Sequence, residues 1–223
     1  MICLVTDRRR LAGAGAAAWR SCVAAQVRCA VDAGIDLIQV RERDLEAGAL
    51  ASLVTELLAI TAGTATRLVV NDRLDVALAC GADGVHLRGD SLPIGDARRI
   101  APAGFLIGRS VHSAPEAAAS AGADYLIAGT VFGSTSKPAA APLLGVDGLR
   151  AIVRASGRPV LAIGGMSLER LDAVAAAGAA GLAAIDLFMA SHPDAEPAGC
   201  RAAELRQTVK SARSRFDRPN TTP

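Results

Sequence analysis

The sequence predicts an α/β protein that folds as a single-domain (β/α)8 TIM barrel. The chain has 223 residues, 51% of them hydrophobic, and can therefore bury one large core. A repeated sequence motif occurs four times: an Ala-rich helical segment ends in Gly and is followed by a short strand. Further apolar runs lie between the copies. Strands that are apolar on both faces need covering helices, so a closed barrel of eight strands over residues 1–215 fits better than a doubly wound open sheet.

The four copies of this motif define half of the strands. They are AGIDLIQV at 33–40, CGADGVHL at 80–87, AGADYLIAG at 121–129 and AGAAGLAAI at 177–185. In each copy we expect the glycine to take the left-handed conformation that closes a helix. The other strands are predicted at 2–6, 67–71, 106–111 and 159–164. Helical spacing of apolar residues predicts helices at 45–61, 93–101, 114–121, 146–156 and 168–176.

The composition excludes several classes of protein. Aromatic residues make up only 3% of the chain, too few for the base-stacking surface with which proteins bind single-stranded nucleic acid. The 24 Lys and Arg residues are interspersed with 22 Asp and Glu residues until the tail after Lys210, so no basic stripe would follow a duplex. The first apolar stretch is interrupted at Arg20, well before the roughly 20 residues that a membrane helix requires. We therefore expect neither a nucleic-acid nor a membrane partner.

The cysteines, the tail and the Ala-rich helices lead to further expectations. The five cysteines include no CxxC pair and mostly lie inside apolar runs, which is typical of small buried residues in a reducing compartment. We therefore expect a cytoplasmic protein. Residues 216–223 contain two prolines and are expected to form a disordered tail. The Ala-rich helix faces leave homo-oligomerisation open.

Polar residues that follow the second strand indicate an anion site. In a TIM barrel the chemistry gathers where strands end, and strand alternation sends Gln39, Arg41 and Arg43 to one side. Two neighbouring guanidinium groups favour a phosphate or diphosphate, because they keep their charge and offer fork-shaped donors. The alternative is that both arginines form ion pairs with Glu42 and Asp44 at the rim.

The ends of the third and fourth strands carry oxygen ligands. Asp72 follows the third strand, and Asp90 and Ser91 follow the fourth. Because adjacent loops meet at one end of a barrel, these oxygens are predicted to bind Mg²⁺, which prefers one or two carboxylates together with waters and substrate phosphate. The alternative is that the two aspartates cap the helices that follow them.

A second anion cradle is predicted after the sixth strand. The loop there contains Ser134, Thr135, Ser136 and Lys137, whose hydroxyl and ammonium groups suit an anion. A plain solvent-exposed linker is the alternative interpretation.

The last two strand ends favour a phosphate less clearly. Gly164 and Gly165 precede a helix, where backbone N–H groups of a barrel often hold phosphate, although a glycine pair also forms tight turns. Asp186 follows the eighth strand and opposes a dianion unless its carboxylate turns away.

The three histidines have different expected roles. His86 lies within a strand and is predicted to be a hydrogen-bonded structural residue. His112 follows Ser110 at the end of the fifth strand and is a candidate general acid or base. His192 lies in a loop and is expected to be solvated.

These residues and their flanking motifs resemble the thiamine phosphate synthase/TenI family. The matching motifs are IQVRER at 38–43, VNDRLDVALACGADGVHL at 70–87, IGRSVHS at 107–113, GADYLIAGTVFGSTSKP at 122–138 and AIGGM at 162–166. They cover nearly the whole chain in order.

The resemblance implies a transferase of thiamine biosynthesis that joins hydroxymethylpyrimidine diphosphate to thiazole phosphate, releases diphosphate and uses Mg²⁺. It implies that Asp72 holds the metal and that the backbone near Gly165 and Ile185 holds the thiazole phosphate. Ser110 would lie near the nucleophile and act in catalysis with Arg41 and Lys137. The implied diphosphate ligands are Arg41, Arg43, Asn71, Ser134, Ser136 and Lys137.

The chain departs from the family pattern at several positions. Arg43 stands where the family usually has Lys, Ser91 where it has a metal-binding Asp, and Asp186 where it has Ser. A thiazole tautomerase is the second hypothesis. Thr130 replaces the His that this branch uses, so His112 would have to substitute. A noncatalytic protein that binds a thiamine-related phosphate is the third hypothesis.

Overall fold

The chain forms a closed barrel of eight parallel strands. The computed structural model describes residues 1–11, 18–133, 142–189 and 202–217. Neighbouring strands follow chain order, and the last pairs with the first. The predicted (β/α)8 fold is therefore confirmed. The strands are β1 (Ile2–Val5), β2 (Leu37–Val40), β3 (Arg67–Asn71), β4 (Gly84–Leu87), β5 (Leu106–Val111), β6 (Tyr125–Gly129), β7 (Val160–Ile163) and β8 (Gly181–Ala184).

Helices alternate with the strands along the chain. Short 3₁₀ turns at Arg8–Arg10, Leu168–Arg170 and Asp186–Phe188 supplement them. The α-helices of the described residues are α1 (Trp19–Asp32), α2 (Ala47–Thr61), α3 (Leu74–Cys80), α4 (Ile94–Ile100), α5 (Ala114–Ala118), α6 (Gly145–Ala155), α7 (Leu171–Ala176) and α8 (Ala202–Phe216).

Strand alternation divides the buried side chains into two layers. Along β2, Leu37 belongs to the cluster inside the barrel, whereas Ile38 belongs to the larger cluster between barrel and helices. Both layers are apolar, which explains why the strands read as continuous hydrophobic runs. The inner cluster is small and ends where the polar strand ends begin. Its buried members are Cys3, Val5, Leu37, Val69, Tyr125, Ile127, Leu161 and Ala183.

Three of the four repeated glycines adopt the predicted left-handed conformation. The φ angles of Gly34, Gly81 and Gly178 are 77°, 68° and 90°. Gly122 does not have a positive φ. A Cβ atom at Gly122 would lie 3.1 Å from Cγ2 of Ile94, so this glycine allows close packing rather than a left-handed turn.

The chain end and the cysteines need separate comment. Helix α8 ends at Phe216, one residue past the predicted end of the barrel domain, and Phe216 packs against the core. Residues 218–223 of the predicted tail lie outside the described residues. Cys3 and Cys80 carry reduced thiols, but Cys29 is disulfide-bonded, so the expectation of five reduced cysteines is wrong. Within the described ranges, no helix has both the length and the apolar character needed to cross a membrane.

We predict that Leu126→Ala lowers the free energy of unfolding by roughly 2–5 kcal/mol. Leu126 is 0% exposed and packs in the layer between barrel and helices, so its truncation removes apolar contacts and leaves a cavity. Urea unfolding followed by circular dichroism measures the change. Leu143→Ala is the matched control: Leu143 is 55% exposed, and its truncation should change stability by no more than about 0.5 kcal/mol. Equal losses in both variants would contradict this packing.

Candidate active site

A cavity of about 780 Å³ opens at the carboxyl ends of the strands. It is lined by side chains and backbone from most of the strand ends, as the barrel geometry requires. The structure brings together eight of the candidates from the sequence, which are Gln39, Arg41, Arg43, Asn71, Asp90, Ser110, Gly165 and Ile185. His86, His112 and Thr130 line the same cavity.

The remaining candidates lie elsewhere. Ser91 lines a neighbouring cavity of about 530 Å³, which Ser110 shares with the main one. Asp72 lies beside the main cavity, with its side chain 25% exposed. Ser134, Ser136 and Lys137 fall outside the described residues, so their roles stay predictions.

The acidic residues next to the two arginines are bound to other partners. The buried Glu42 carboxylate accepts hydrogen bonds from Thr6 Oγ1 at 2.7 Å and from the Arg8 backbone N–H at 3.1 Å. Burial raises the pKa of Glu42, and the bonds from Thr6 and Arg8 oppose that shift. The Asp44 carboxylate pairs with Arg8 at 2.7 Å. The alternative that Arg41 and Arg43 pair with these two acids is therefore wrong.

Arg41 and Arg43 face the cavity without a hydrogen-bonded acidic partner among the described residues. Within the part of the chain that the structure describes, neither guanidinium group makes a hydrogen bond or an ion pair. Arg41 is half-buried; burial, reinforced by the charge of Arg43, lowers the pKa of its guanidinium. A partly desolvated cation beside another cation raises the free energy of the folded protein unless an anion binds to it. The pair is therefore suited to an anionic ligand.

Gln39 and Asn71 form the polar part of the cavity floor. Both are buried, and Gln39 Nε2 donates to Asn71 Oδ1 at 2.9 Å. This bond joins the end of β2 to the end of β3 and fixes both amides beneath the two arginines.

Arg88 occupies the space between the two predicted metal-binding carboxylates. Its guanidinium donates twice to Asp90, at 2.9 and 2.7 Å, and its Nε lies 3.6 Å from Asp72 Oδ2. The caps of the helices that follow are Arg73 and Pro93, so the N-cap alternative for both aspartates is wrong. No group of three or more His, Cys, Asp and Glu side chains among the described residues is arranged to hold a metal.

His86 has a larger place in the site than the sequence suggested. It is hydrogen-bonded, as expected, with Nε2 2.9 Å from Ser110 Oγ and Nδ1 3.2 Å from the Tyr125 hydroxyl. Burial lowers the pKa of His86 to about 3, so its imidazole is neutral at neutral pH. The period-2 pattern of β4 could have placed it inside, because His86 is in register with the polar Asn71 of β3.

His112 directly follows β5, the strand next to the one that carries His86. Its Nδ1 forms a short hydrogen bond with the Gly129 carbonyl, and its backbone N–H donates to Glu116 Oε2 at 2.8 Å. Because a carbonyl only accepts, Nδ1 carries the proton and the Nε2 lone pair is left for the cavity. Thr130, which occupies the tautomerase His position, is buried.

The ends of β7 and β8 combine exposed backbone with cationic side chains that already have partners, since Arg170 donates to the Gly165 carbonyl. Gly164 and Gly165 have φ angles of 104° and 58°, and a Cβ at Gly165 would lie 2.9 Å from Phe132 Cβ. Asp186 forms an ion pair with Arg10, which compensates the carboxylate that seemed to oppose a phosphate. The negative charge at the end of β8 is thus matched within the protein.

Fold and cavity together define a barrel protein whose pocket at the strand ends carries two neighbouring arginines after β2. The family described as thiamine monophosphate synthase matches residues 2–188, and the chain belongs to this family. The thiamine-phosphate synthase of Methanoregula boonei is 44% identical over 191 residues, which are 85% of this chain and 87% of the relative. That of Anaeromyxobacter dehalogenans is 43% identical over 182 residues, 80% and 82% of the two chains. The solved thiamine phosphate pyrophosphorylase from Pyrococcus furiosus has a TM-score of 0.75 and 32% identity, covering 97% of this chain and 95% of that one.

We predict that His86 makes the fold sensitive to mild acid. The unfolded chain protonates this imidazole below about pH 6.5, whereas the folded protein does so only near pH 3, because burial lowers its pKa to about 3. The contribution is fully present above pH 6.5 and is lost as the pH falls, by about 1.4 kcal/mol between pH 7.5 and pH 5.5. Urea unfolding at both pH values should show a smaller loss in His86→Gln than in the unmodified protein. Leu126→Ala, which is destabilised without loss of a titrating group, should keep the full pH dependence; equal slopes in all three proteins would refute the assignment.

Proposed function

We propose that the chain is a thiamine-phosphate synthase, a transferase that joins hydroxymethylpyrimidine diphosphate to thiazole phosphate and releases diphosphate. The observation that carries the proposal is Arg41, half-buried beside Arg43 at the cavity wall and, among the described residues, without a hydrogen bond or ion pair to its guanidinium. Family membership and the names of the relatives at 44% and 43% identity support the same transferase reaction.

The cavity suits a reaction in which charge develops on the leaving group. The C–O bond of the diphosphate ester breaks, its electron pair leaves with the diphosphate, and the pyrimidine ring stabilises the carbon cation that the thiazole nucleophile then attacks. Catalysis of this kind depends on cations that bind the departing diphosphate more tightly than the intact ester. Arg41 and Arg43 supply them, and the partial burial of Arg41 strengthens its interaction with the anion.

The ends of β7 and β8 are the part of the cavity proposed for the second phosphate. Gly165 and Ile185 line the cavity there, and only β1 separates β8 from β2, which the two arginines follow. The ion pair of Asp186 with Arg10 lowers the repulsion that a phosphate would meet there. We therefore assign the thiazole phosphate to the backbone of Gly165 and Ile185, and the diphosphate to the arginine side.

Asp72 and Asp90, which follow β3 and β4, could bind Mg²⁺ if the Arg88 side chain moves away from them. Asp72 and Asp90 both lie within reach of the Arg88 guanidinium, so their carboxylates are close enough to serve one cation, and hard carboxylate oxygens are the ligands that Mg²⁺ prefers. Arg88 must leave this position for the ion to enter. Bound Mg²⁺ would neutralise charge on the diphosphate. Ser91 lines the neighbouring cavity, so Asp90 is the better candidate for the second ligand.

We expect the purified protein, given both substrates and Mg²⁺, to form thiamine phosphate and free diphosphate. Arg41→Ala should lower kcat/KM by roughly 100-fold to 1,000-fold, because it removes a preorganised cation from the leaving group. Arg99→Ala is the control: Arg99 is an exposed α4 residue paired with Asp96 outside the cavity, and its loss should leave the rate unchanged. The rate of diphosphate release gives kcat/KM for the unmodified protein, Arg41→Ala and Arg99→Ala.

The synthase assay, deuterium exchange and thermal unfolding together separate the alternatives raised by the sequence. A tautomerase would exchange deuterium into the thiazole carboxylate phosphate, lose this exchange in His112→Ala and form no thiamine phosphate. A binding protein would show only thermal stabilisation by the ligands. Failure to form thiamine phosphate at saturating substrates rejects the synthase.

We predict that Arg88→Ala binds Mg²⁺ about fivefold to tenfold more tightly than the unmodified protein, because the ion no longer competes with an exposed ion pair worth about 1 kcal/mol. Isothermal titration calorimetry of the protein without substrates measures the affinity. Arg99→Ala, which breaks an ion pair of similar exposure on α4, should bind Mg²⁺ as the unmodified protein does. Unchanged affinity in Arg88→Ala would remove Asp72 and Asp90 as the metal site.

A further inference from the structure

Three polar side chains from adjacent strands form one hydrogen-bonded row through the barrel floor. Tyr125 of β6 contacts His86 of β4 at 3.2 Å, and His86 contacts Ser110 of β5 at 2.9 Å. Tyr125 and His86 are 2% and 1% exposed, so only Ser110 reaches the cavity with an accessible hydroxyl.

Gly108 makes this row possible. Strand β5 lies between β4 and β6, and Gly108 is in register with both His86 and Tyr125. A Cβ atom at this position would overlap the Tyr125 ring and His86 Nδ1. The glycine therefore lets two side chains on non-adjacent strands touch across the strand between them.

The hydroxyl of Tyr125 fixes the direction of the hydrogen bonds. Among the described residues its one hydrogen-bond partner is His86 Nδ1, and burial keeps the phenol protonated by raising the pKa of Tyr125. A buried O–H without an acceptor costs about 1–3 kcal/mol, so the phenol donates to Nδ1. A neutral imidazole that accepts at Nδ1 carries its proton at Nε2, which then donates to Ser110 Oγ.

We propose that Tyr125 and His86 are positioning residues that fix Ser110 as a hydrogen-bond donor to the bound substrate. Because the Ser110 oxygen accepts from His86, its own proton points away from the imidazole and toward the cavity. The Ser110 O–H is thus left to donate to a substrate acceptor, such as a ring nitrogen or an oxygen. The identity of that substrate rests on the proposed function, whereas the direction of the row does not.

His112 provides an internal reference for this assignment. Its Nδ1 faces the Gly129 carbonyl, which requires the proton at Nδ1. The two histidines of one cavity are therefore expected in opposite tautomers, with Nε2–H in His86 and Nδ1–H in His112.

The first experiment measures the tautomers directly in the protein without substrates. Long-range ¹⁵N–¹H correlation spectra distinguish the two neutral forms, and His86→Gln assigns the signal of His86. We expect Nε2–H for His86 in the unmodified protein. In Tyr125→Phe the donor to Nδ1 is gone, so the preference for the Nε2–H form should weaken. An Nδ1–H imidazole at His86 in the unmodified protein overturns the proposal, whether or not Tyr125→Phe folds.

The second experiment asks whether the row acts through Ser110. Tyr125→Phe should lower kcat/KM about tenfold, the effect of one misdirected hydrogen bond. Added to Ser110→Ala, the same substitution should cost less than about twofold more, because its effect is transmitted by the hydroxyl already removed. Full additivity of the two losses would overturn the positioning role. If the unmodified protein forms no thiamine phosphate, the proposed function fails, and the spectra still decide the direction of the row.

Discussion

The hydrogen bonds that Thr6 and Arg8 make to the Glu42 carboxylate are the contacts on which the site depends. Strand alternation places Glu42 on the side opposite Arg41, and the residues after β1 satisfy its charge there. If Glu42 reached the cavity instead, it would neutralise Arg41 and remove the attraction for an anion. The site is therefore cationic because the segment after β1 binds the one acidic side chain that lies between the two arginines.

Closure of the barrel converts this local charge separation into a binding site. The pairing of β1 with β8 brings Arg10 close to Asp186, so the last strand end contributes a compensated carboxylate instead of a repulsive one. The end of β2 then carries two guanidinium groups without a hydrogen-bonded acidic partner, and the ends of β7 and β8 contribute Gly165 and Ile185. The cavity is electrostatically asymmetric, which suits two ligands that carry phosphate groups of different charge.

The sequence predicted the barrel and most strand ends because apolar runs and helix-closing glycines are local signals. β3 and β5 match the predicted ranges, and the other described strands lie within theirs. Pairing between charged residues was not predictable. Whether Glu42 binds Arg41 or Arg8 depends on the contact of β2 with the segment after β1, and whether Arg88 separates Asp72 from Asp90 depends on the loop after β4. The contacts of His86 with Ser110 and Tyr125 were not predicted, because they depend on how β4, β5 and β6 align with one another.

Because Gly108 has no side chain, it limits how the ligand preference of this enzyme can be changed by mutation. Most engineering of ligand preference fills or empties the pocket floor with residues of different size. At Gly108 even a methyl group would displace both the Tyr125 phenol and the His86 imidazole. The substitution would therefore rearrange the hydrogen-bond donors of the pocket instead of changing only its volume. Variation in shape is better sought at Ile163, which lines the pocket from β7 and packs against the inner cluster.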